Sequence, residues 1–522
     1  MTTRREGSDG RVVPEGGRKA VPTAAARGGK ATTASEQAGQ LALFTETADS
    51  PEGAVPGASR GLPRSDARHA VPKSEDNVSP PLPAMTMEEV ARDGNLRRAF
   101  ERVASNDGAP GPDRQAVSSV RKHLDEVVRG LTTALLDGSY RPGMIRRVWI
   151  PKVGGGERGL GIPNVVDRIV QQAVHQVLSP HYERTFHESS HGFRPGRSCH
   201  TAITEAKAHL EAGYEWVVDL DLERFFDTVH HERLLAQLSQ RVGDARLIGL
   251  VRQMLRAKVV MPDGVVLATE EGTPQGGPLS PLLSNIVLDE LDRELAERGH
   301  RFVRYADDCN IYVRSERAGH RVMATVVRFI ERRLRLKVNA AKSAVARPED
   351  RHFVGFRLRR DPETGATEVL LSRRSKERID EKIRQLTPRM WGQPLTVCIV
   401  HINAYLRGWM AFFGICTEAI VRTLNGLDAH IRRRLRAILL RQWKRKPSIV
   451  QRLIRLGIKP VTAWRALYQG NHSLWKLSHC NPVDRALNKA YFVDQGLVGL
   501  AALYQQRPRT SIASPQQHLG LR

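Results

Sequence analysis

The sequence predicts an α+β body followed by a basic helical region. Short β-forming runs, such as those on either side of "YADD", alternate with amphipathic helical stretches over residues 86–372. From about residue 375 the strand signals fade, and the chain reads as helices loaded with Arg, Lys and Trp. No internal repeat is present, so this is a mixed architecture rather than a solenoid.

Composition narrows the partners. At 522 residues the chain is long enough for two or three domains and a large core. Lys and Arg number 81 against 56 Asp and Glu, a formal charge of +25, which points to a polyanion: nucleic acid or an acidic membrane surface. Membrane is the weaker choice. No run of 18 apolar residues occurs, and "MTTRREGSDGRVV" has no apolar signal-peptide core. Cys199, Cys309, Cys398, Cys416 and Cys480 form no C-x-x-C pair, so neither a disulfide framework nor a zinc finger is indicated, and a reducing, cytoplasmic location is the expectation.

Residues 1–85 are rich in Gly, Pro, Ala, Ser, Thr and charge without apolar periodicity, and are expected to be a disordered extension with no assigned role. Order is expected from Met87, with a helix interrupted at Gly94. "KVGGGER" reads as a flexible turn between strands. After "GIPN", Val166, Ile169, Val170, Ala173, Val174, Val177 and Leu178 repeat at helical spacing behind Asn164 as N-cap, and Ser179-Pro180 predicts the stop. Trp216–Val218 is a strand ending in acids at Asp219 and Asp221. "EEGTPQGGPLSP" leads to a helix with Leu283, Ile286, Val287, Leu291 and Leu295 on one face and Gly299 as its stop. The flanks of "RYADD" predict a β-hairpin with Asp307 and Asp308 near its turn.

Those adjacent acids have two readings. One is a solvated turn, which tolerates Asp. The other is a metal site, because two carboxylates about 5 Å apart repel by roughly 3 kcal/mol at an effective dielectric near 20 and call for a compensating cation. Asp221 is the acid that would meet them. Acids on separated strands suit two Mg²⁺ ions roughly 3.5–4 Å apart, a geometry for phosphoryl transfer. Spacing alone leaves Asp219 and Asp221 equally readable as surface acids.

The blocks "VVDLDLERFFDTVHH", "GTPQGGPLSPLLSNIVLDELD" and "RYADDCNIYV" occur in the order of the reverse transcriptase palm motifs. With "NDGAPGPD", "WIPKVGGGERGLGIPNVVDRIVQQAV", "SSHGFRPGRSCHTAI", "LKVNAAKS", "FVGF" and "INAYLRGWMAFF", the text over roughly residues 90–500 resembles the group II intron reverse transcriptase/maturase family, in its compact bacterial form without an HNH endonuclease. The resemblance implies a right-hand polymerase fold: fingers and an antiparallel-sheet palm over residues 86–372, a helical maturase or thumb domain over 373–460, and a DNA-binding extension over 461–522.

It also implies roles. Asp221, Asp307 and Asp308 match the family's catalytic carboxylates, with the Leu222 carbonyl as a further ligand to two Mg²⁺ ions. Phe226 matches the aromatic gate beneath the sugar of the incoming nucleotide, and Phe225 reads as core. Lys152 and Arg158 flank a turn and by themselves read as solvated; the resemblance turns them toward a triphosphate. Gln275 and Lys342 fall beside the nucleotide and primer. Arg194 and Arg197 read as template or backbone contacts. In "LDAHIRRRLRAILLRQWKRK" an apolar set alternates with Arg432, Arg433, Arg436, Arg441, Lys444 and Arg445, which the resemblance assigns to RNA.

The implied function is RNA-directed DNA polymerisation with assistance to splicing of a group II intron RNA and support of its mobility. The implied partners are that RNA, an RNA template, a DNA primer or target and dNTPs, in a bacterial nucleoid- or RNP-associated protein; no pattern speaks to oligomeric state. Two rivals are an RNA-binding splicing cofactor with a dispensable polymerase and a domesticated reverse transcriptase in host defence. Gly159, Arg224 and Thr228 depart from the family pattern without touching a proposed metal ligand.

Overall fold

The computed structural model describes residues 82–151, 157–469 and 473–507. The expected extension over residues 1–85 lies almost wholly outside them, as does Lys152. Four helices come first: α1 (Met87–Ala91), α2 (Asp93–Ser105), α3 (Val117–Lys122) and α4 (Leu124–Leu136). The expected interruption falls at Arg92 rather than Gly94, because Arg92 leaves the helical region (ψ 129) while Gly94 sits in the first turn of α2. Leu96, Ala99, Phe100 and Val103 bury one face of α2 against α5 (Val165–Glu183).

Between these lie β1 (Ile145–Pro151) and β2 (Glu157–Ile162), paired antiparallel from Arg146↔Ile162 to Pro151↔Glu157. Helix α5 starts after Asn164 as expected but continues through Pro180 to Glu183. A proline costs one intrahelical bond and a clash with the preceding turn, and here the buried Val177, Leu178 and Tyr182 hold the last turns in register regardless.

The chain continues through α6 (Cys199–Glu211), β3 (Trp216–Leu220), α7 (Phe225–Thr228), α8 (His231–Ser239), α9 (Ala245–Leu255), β4 (Val259–Val260), β5 (Val266–Leu267) and α10 (Ser280–Glu297). Gly299 takes φ +69 just past α10 and donates its N–H to the Ala296 carbonyl, so the predicted stop is where the helix ends. There follow β6 (Arg301–Tyr305), β7 (Asp308–Val313), α11 (Glu316–Phe329), β8 (Ala344–Ala346), and the hairpin β9 (Phe356–Arg360) and β10 (Thr367–Leu371). Thereafter every element is helical: α12 (Arg373–Leu386), α13 (Leu395–Phe413), α14 (Val421–Gln442), α15 (Lys446–Arg455), α16 (Pro460–Tyr468), α17 (Leu474–Leu477), α18 (Asn481–Ala486), α19 (Lys489–Asp494) and α20 (Leu500–Gln506).

One four-stranded sheet has the order β2-β1-β4-β5 and the other β6-β7-β3-β8, the second wholly antiparallel. The second sheet is covered on both faces. Val218, Leu220, Phe302, Cys309 and Ile311 join a core with α2, α5 and α8–α10, whereas Val217, Val303 and Tyr312 join a core with α6, β9, β10 and the C-terminal helices. Alternate residues of each strand thus feed opposite cores, which is why these strands read as apolar runs. The architecture is α+β, a right-hand polymerase arrangement with a helical region behind the antiparallel sheet. Among the described residues, no helix is long and apolar enough to cross a membrane.

Candidate active site

Strand register builds the acidic cluster. β3 and β7 pair from Trp216↔Val313 to Leu220↔Cys309, so the next residues along, Asp221 and Asp308, emerge side by side at the end of the sheet. The β6–β7 hairpin supplies Asp307 from its two-residue turn, between the paired Tyr305 and Asp308. Ala306 in that turn has φ +57, a left-handed conformation costing a non-glycine residue about 1–2 kcal/mol. Something must hold it there.

Arg304 does so. Its side chain is fully buried, with Nε and Nη2 reaching the two carboxylate oxygens of buried Asp292 at 2.7 and 2.5 Å. Nη1 donates to Asn285 Oδ1 at 3.0 Å and to the Ala306 carbonyl at 2.8 Å, and Nη2 also donates to Ser190 Oγ at 2.7 Å. All five N–H groups of the fork are used. The backbone of Arg304 pairs in turn with Ser189 and His191, each at 2.8 Å. This brings Gly192 so close that a Cβ there would lie 2.2 Å from the Ala306 nitrogen, which is why the "SSHGF" block has glycine at that position.

The loop after α11 pins Asp221. Asn339 N–H donates to the Asp221 carbonyl at 2.8 Å, Asp221 N–H to Ser343 Oγ at 3.0 Å, and Leu222 bridges Val338. Lys342 Nζ lies 3.5 Å from Asp221 Oδ2. Asp219, two residues back, is tied to Arg351 through Nε at 2.7 Å and Nη2 at 2.5 Å, and Arg351 also holds the Lys342 carbonyl.

The cluster carries more negative charge than its surroundings balance. Crowding by the surrounding protein, then the charges of Asp307, Asp219 and Asp221, push the Asp308 carboxyl up to about 7, with Lys342 opposing, even though the residue is exposed at the end of the sheet. Burial likewise raises Asp307, with the positive charge of Arg158 acting against it. The donors are all oxygen, a set that fits a hard divalent cation. Among the described residues, no three acidic, His or Cys side chains converge closely enough to hold a metal ion, so the fit rests on donor chemistry and charge.

Phe225 is core, 2% exposed, while Phe226 is half-buried and meets it edge-on at 5.3 Å. Phe226 forms part of the wall of a cavity of about 280 Å³ with Arg147, Trp149, Arg224, Gly159 and Gly161. None of the three acids lines that cavity. Alternate residues of β2 face opposite ways, so Arg158 is turned from the cavity and acts on Asp307 instead. Arg224 adopts φ +46, a left-handed conformation that favours glycine over a residue with a side chain. The Gln275 loop docks on β2, its carbonyl accepting from Gly161 N–H at 2.7 Å. A Cβ on Gly276, at φ +122, would lie 2.6 Å from the Gly161 carbonyl oxygen.

Two expected nucleic-acid contacts are corrected. Arg194 is 5% exposed and bound to Glu183 at 2.6 Å and to the His187 and Ser190 carbonyls, so it braces the segment before α6. Arg436 is 6% exposed, donating to the Leu487 carbonyl at 2.8 Å and paired with Asp484, so it ties α14 to α18. Arg197 is half-buried and donates to the Glu188 carbonyl. Arg432 is half-buried, as is Arg433, which lies over Trp475 at 4.0 Å; Arg441, Lys444 and Arg445 are exposed.

Sequence reasoning passed over Arg304, Asn285, Asp292, Ser343 and Arg351. A signal for the first three exists: Asn285, Asp289 and Asp292 recur at helical spacing and are buried on α10, a polar stripe that must face a buried partner.

A family model described as "Reverse transcriptase (RNA-dependent DNA polymerase)" matches residues 150–358, and one described as "Group II intron, maturase-specific domain" matches residues 376–456. The chain is 33% identical over 337 residues to "Protein YkfC" of Escherichia coli (strain K12), covering 57% of this chain and 88% of that protein. It is 38% identical over 181 residues to "Group II intron-encoded protein LtrA" of Lactococcus lactis subsp. cremoris, covering 34% of this chain and 30% of that protein. A "Putative COX1/OXI3 intron 1 protein" of Saccharomyces cerevisiae is 32% identical over 205 residues, covering 39% of this chain and 24% of the other. The match therefore spans most of the first relative and less than a third of the other two.

Proposed function

The chain belongs to the group II intron reverse transcriptase/maturase family, and from that premise we propose that it is an RNA-directed DNA polymerase that also binds its intron RNA to assist splicing. The observation that carries the reading is the β3–β7 register, which sets Asp221 beside Asp308 and the turn holding Asp307.

In the proposed reaction a primer 3′-hydroxyl attacks the α-phosphate of a dNTP on an RNA template; the new P–O bond forms as pyrophosphate leaves. Asp221, Asp307 and Asp308, with the Leu222 carbonyl, are the groups to hold two Mg²⁺ ions, which when bound neutralise the phosphates and activate the hydroxyl. Arg158 and Lys152 bind the triphosphate, Arg158 as a planar fork and Lys152 as a point charge. Phe226 excludes the 2′-hydroxyl of a ribonucleotide. Gln275 supports the nucleotide from a loop anchored on β2, and Lys342 steadies Asp221 and the primer end. The exposed Arg441, Lys444 and Arg445 on the helical region bind RNA phosphates. The site of action is then the bacterial cytoplasm, on intron RNA and its DNA target.

Asp307→Ala is expected to abolish primer extension on an RNA template while leaving RNA binding intact. Retained extension would refute the assignment. Splicing assistance by a protein that cannot extend a primer with Mg²⁺ and dNTPs would instead establish the splicing-cofactor reading, against which the three intact acids argue.

A further inference from the structure

Helix α16 presents an aromatic pair to solvent in a part of the chain without acids. Ala463 and Leu467 turn inward at 0% and 1% exposure, which directs Trp464 and Tyr468 outward, 43% and 48% exposed. Their rings stack on each other, centroids 5.0 Å apart and planes 29° from parallel. Val461, 63% exposed, widens the same apolar surface. Large aromatics left open together, one turn apart, are already stacked in the manner that receives a third flat ring.

The surroundings say what kind of ring. Between Asp428 and Asp484 the sequence holds thirteen Lys and Arg and no Asp or Glu. Arg434 and Arg436 are buried; the other eleven reach solvent, among them Lys459 and Arg465 on either side of Trp464. Lys446 Nζ, from the start of α15, lies 5.1 Å from the Tyr468 ring centroid. Aromatic faces flanked by exposed cations, in a stretch of sequence without acids, match the alternation of bases and phosphates in an unpaired strand, whereas a duplex keeps its base faces stacked inside.

We propose that Trp464 and Tyr468 form a stacking platform for unpaired bases of a single-stranded nucleic acid, with Lys446, Lys459 and Arg465 holding its phosphates. The inference rests on the polymerase reading only for the class of partner, since the platform lies outside the acidic cluster.

The test measures binding of the full-length protein to oligo-dT, to oligo-U and to a blunt duplex across a salt series. The comparison is among wild type, Trp464→Ala/Tyr468→Ala and Trp464→Phe/Tyr468→Phe. The alanine pair is expected to lose about 10- to 100-fold in single-strand affinity, with less than about a twofold change on duplex and an unchanged salt slope, because stacking neutralises no phosphate. The phenylalanine pair should retain most of the affinity and reports on folding. Loss on either single strand supports the platform. Equal loss on duplex and single strand, no loss on either single strand, or a loss seen instead on anionic vesicles would overturn it. Primer extension on a preannealed template, read in the same preparations, should be unchanged, which separates failure of the platform from failure of the polymerase assignment.

Discussion

Arg304 and Asp292, neither of which reaches solvent, form a two-point ion pair directly beneath the turn that carries Asp307 and Asp308. The same guanidinium bonds the carbonyl of Ala306, the left-handed residue of that turn. The pair is therefore both a piece of the core and the support of the acidic cluster.

These two roles come apart by mutation. Arg304→Met leaves Asp292 buried without a partner and should cost about 3–5 kcal/mol in urea unfolding. Arg304→Met/Asp292→Leu replaces the pair by apolar groups and should recover most of that loss. Primer extension by the double variant should still fall about 100-fold in kcat with little change in KM for dNTP, since the turn is no longer held. Full activity in a stable double variant would show that the pair only stabilises the core.

Adjacent phenylalanines should give opposite phenotypes. Phe225→Ala empties a core position and should destabilise by about 3–5 kcal/mol. Phe226→Ala, at a half-buried ring, should cost less stability and reduce discrimination against ribonucleotides about tenfold or more in single-nucleotide incorporation. The reverse pattern would exchange the two assignments.

Glu205 provides a pH signature away from the acids of the cluster. Burial raises its carboxyl, but hydrogen bonds from His191 and Ser189, with His209 3.7 Å away, outweigh this and bring it down to about 2, against an ordinary 4.5. A depressed carboxylate stabilises the fold fully above its unfolded value and loses that contribution as pH falls toward its folded one. Here the contribution is about 3 kcal/mol, present at neutral pH and lost between about 4.5 and 2. Glu205→Gln should be less stable than wild type at pH 7, and the gap should narrow through that window in denaturation series.

The helical region offers a direct test of which cations meet RNA. Replacing exposed Arg441, Lys444 and Arg445 with Gln should weaken RNA binding and flatten the log–log salt dependence by about 0.7–0.9 for each phosphate no longer neutralised. Arg436→Gln, which breaks the ties to Leu487 and Asp484, should lower the melting temperature and leave the salt slope unchanged. A flatter slope for Arg436→Gln would return it to the RNA-binding surface.

Much of the fold was legible because its signals are local. The apolar runs at Trp216–Val218 and around "YADD" form strands, the periodic stretch after "GIPN" forms α5, and Gly299 ends α10 through its own backbone conformation. At Pro180 a distant contact prevailed over a local preference, as buried side chains carried α5 beyond it, whereas the break expected at Gly94 was displaced only two residues, to Arg92.

Sequence by itself determined the identities and order of the acids, the basic excess, the mixed architecture and the family resemblance, since these are properties of residues and their spacing. Only the tertiary structure decided which groups meet. Pairing of β3 with β7 sets Asp221 beside Asp308, and Arg304 reaches Asp292 because β6 packs on α10. The exposure of a charge is likewise settled by what packs over it. Arg194 and Arg436 look in sequence like their neighbours, but Glu183 and Asp484 compensate them inside the protein, whereas Arg441, Lys444 and Arg445 stay in water, free to meet phosphate.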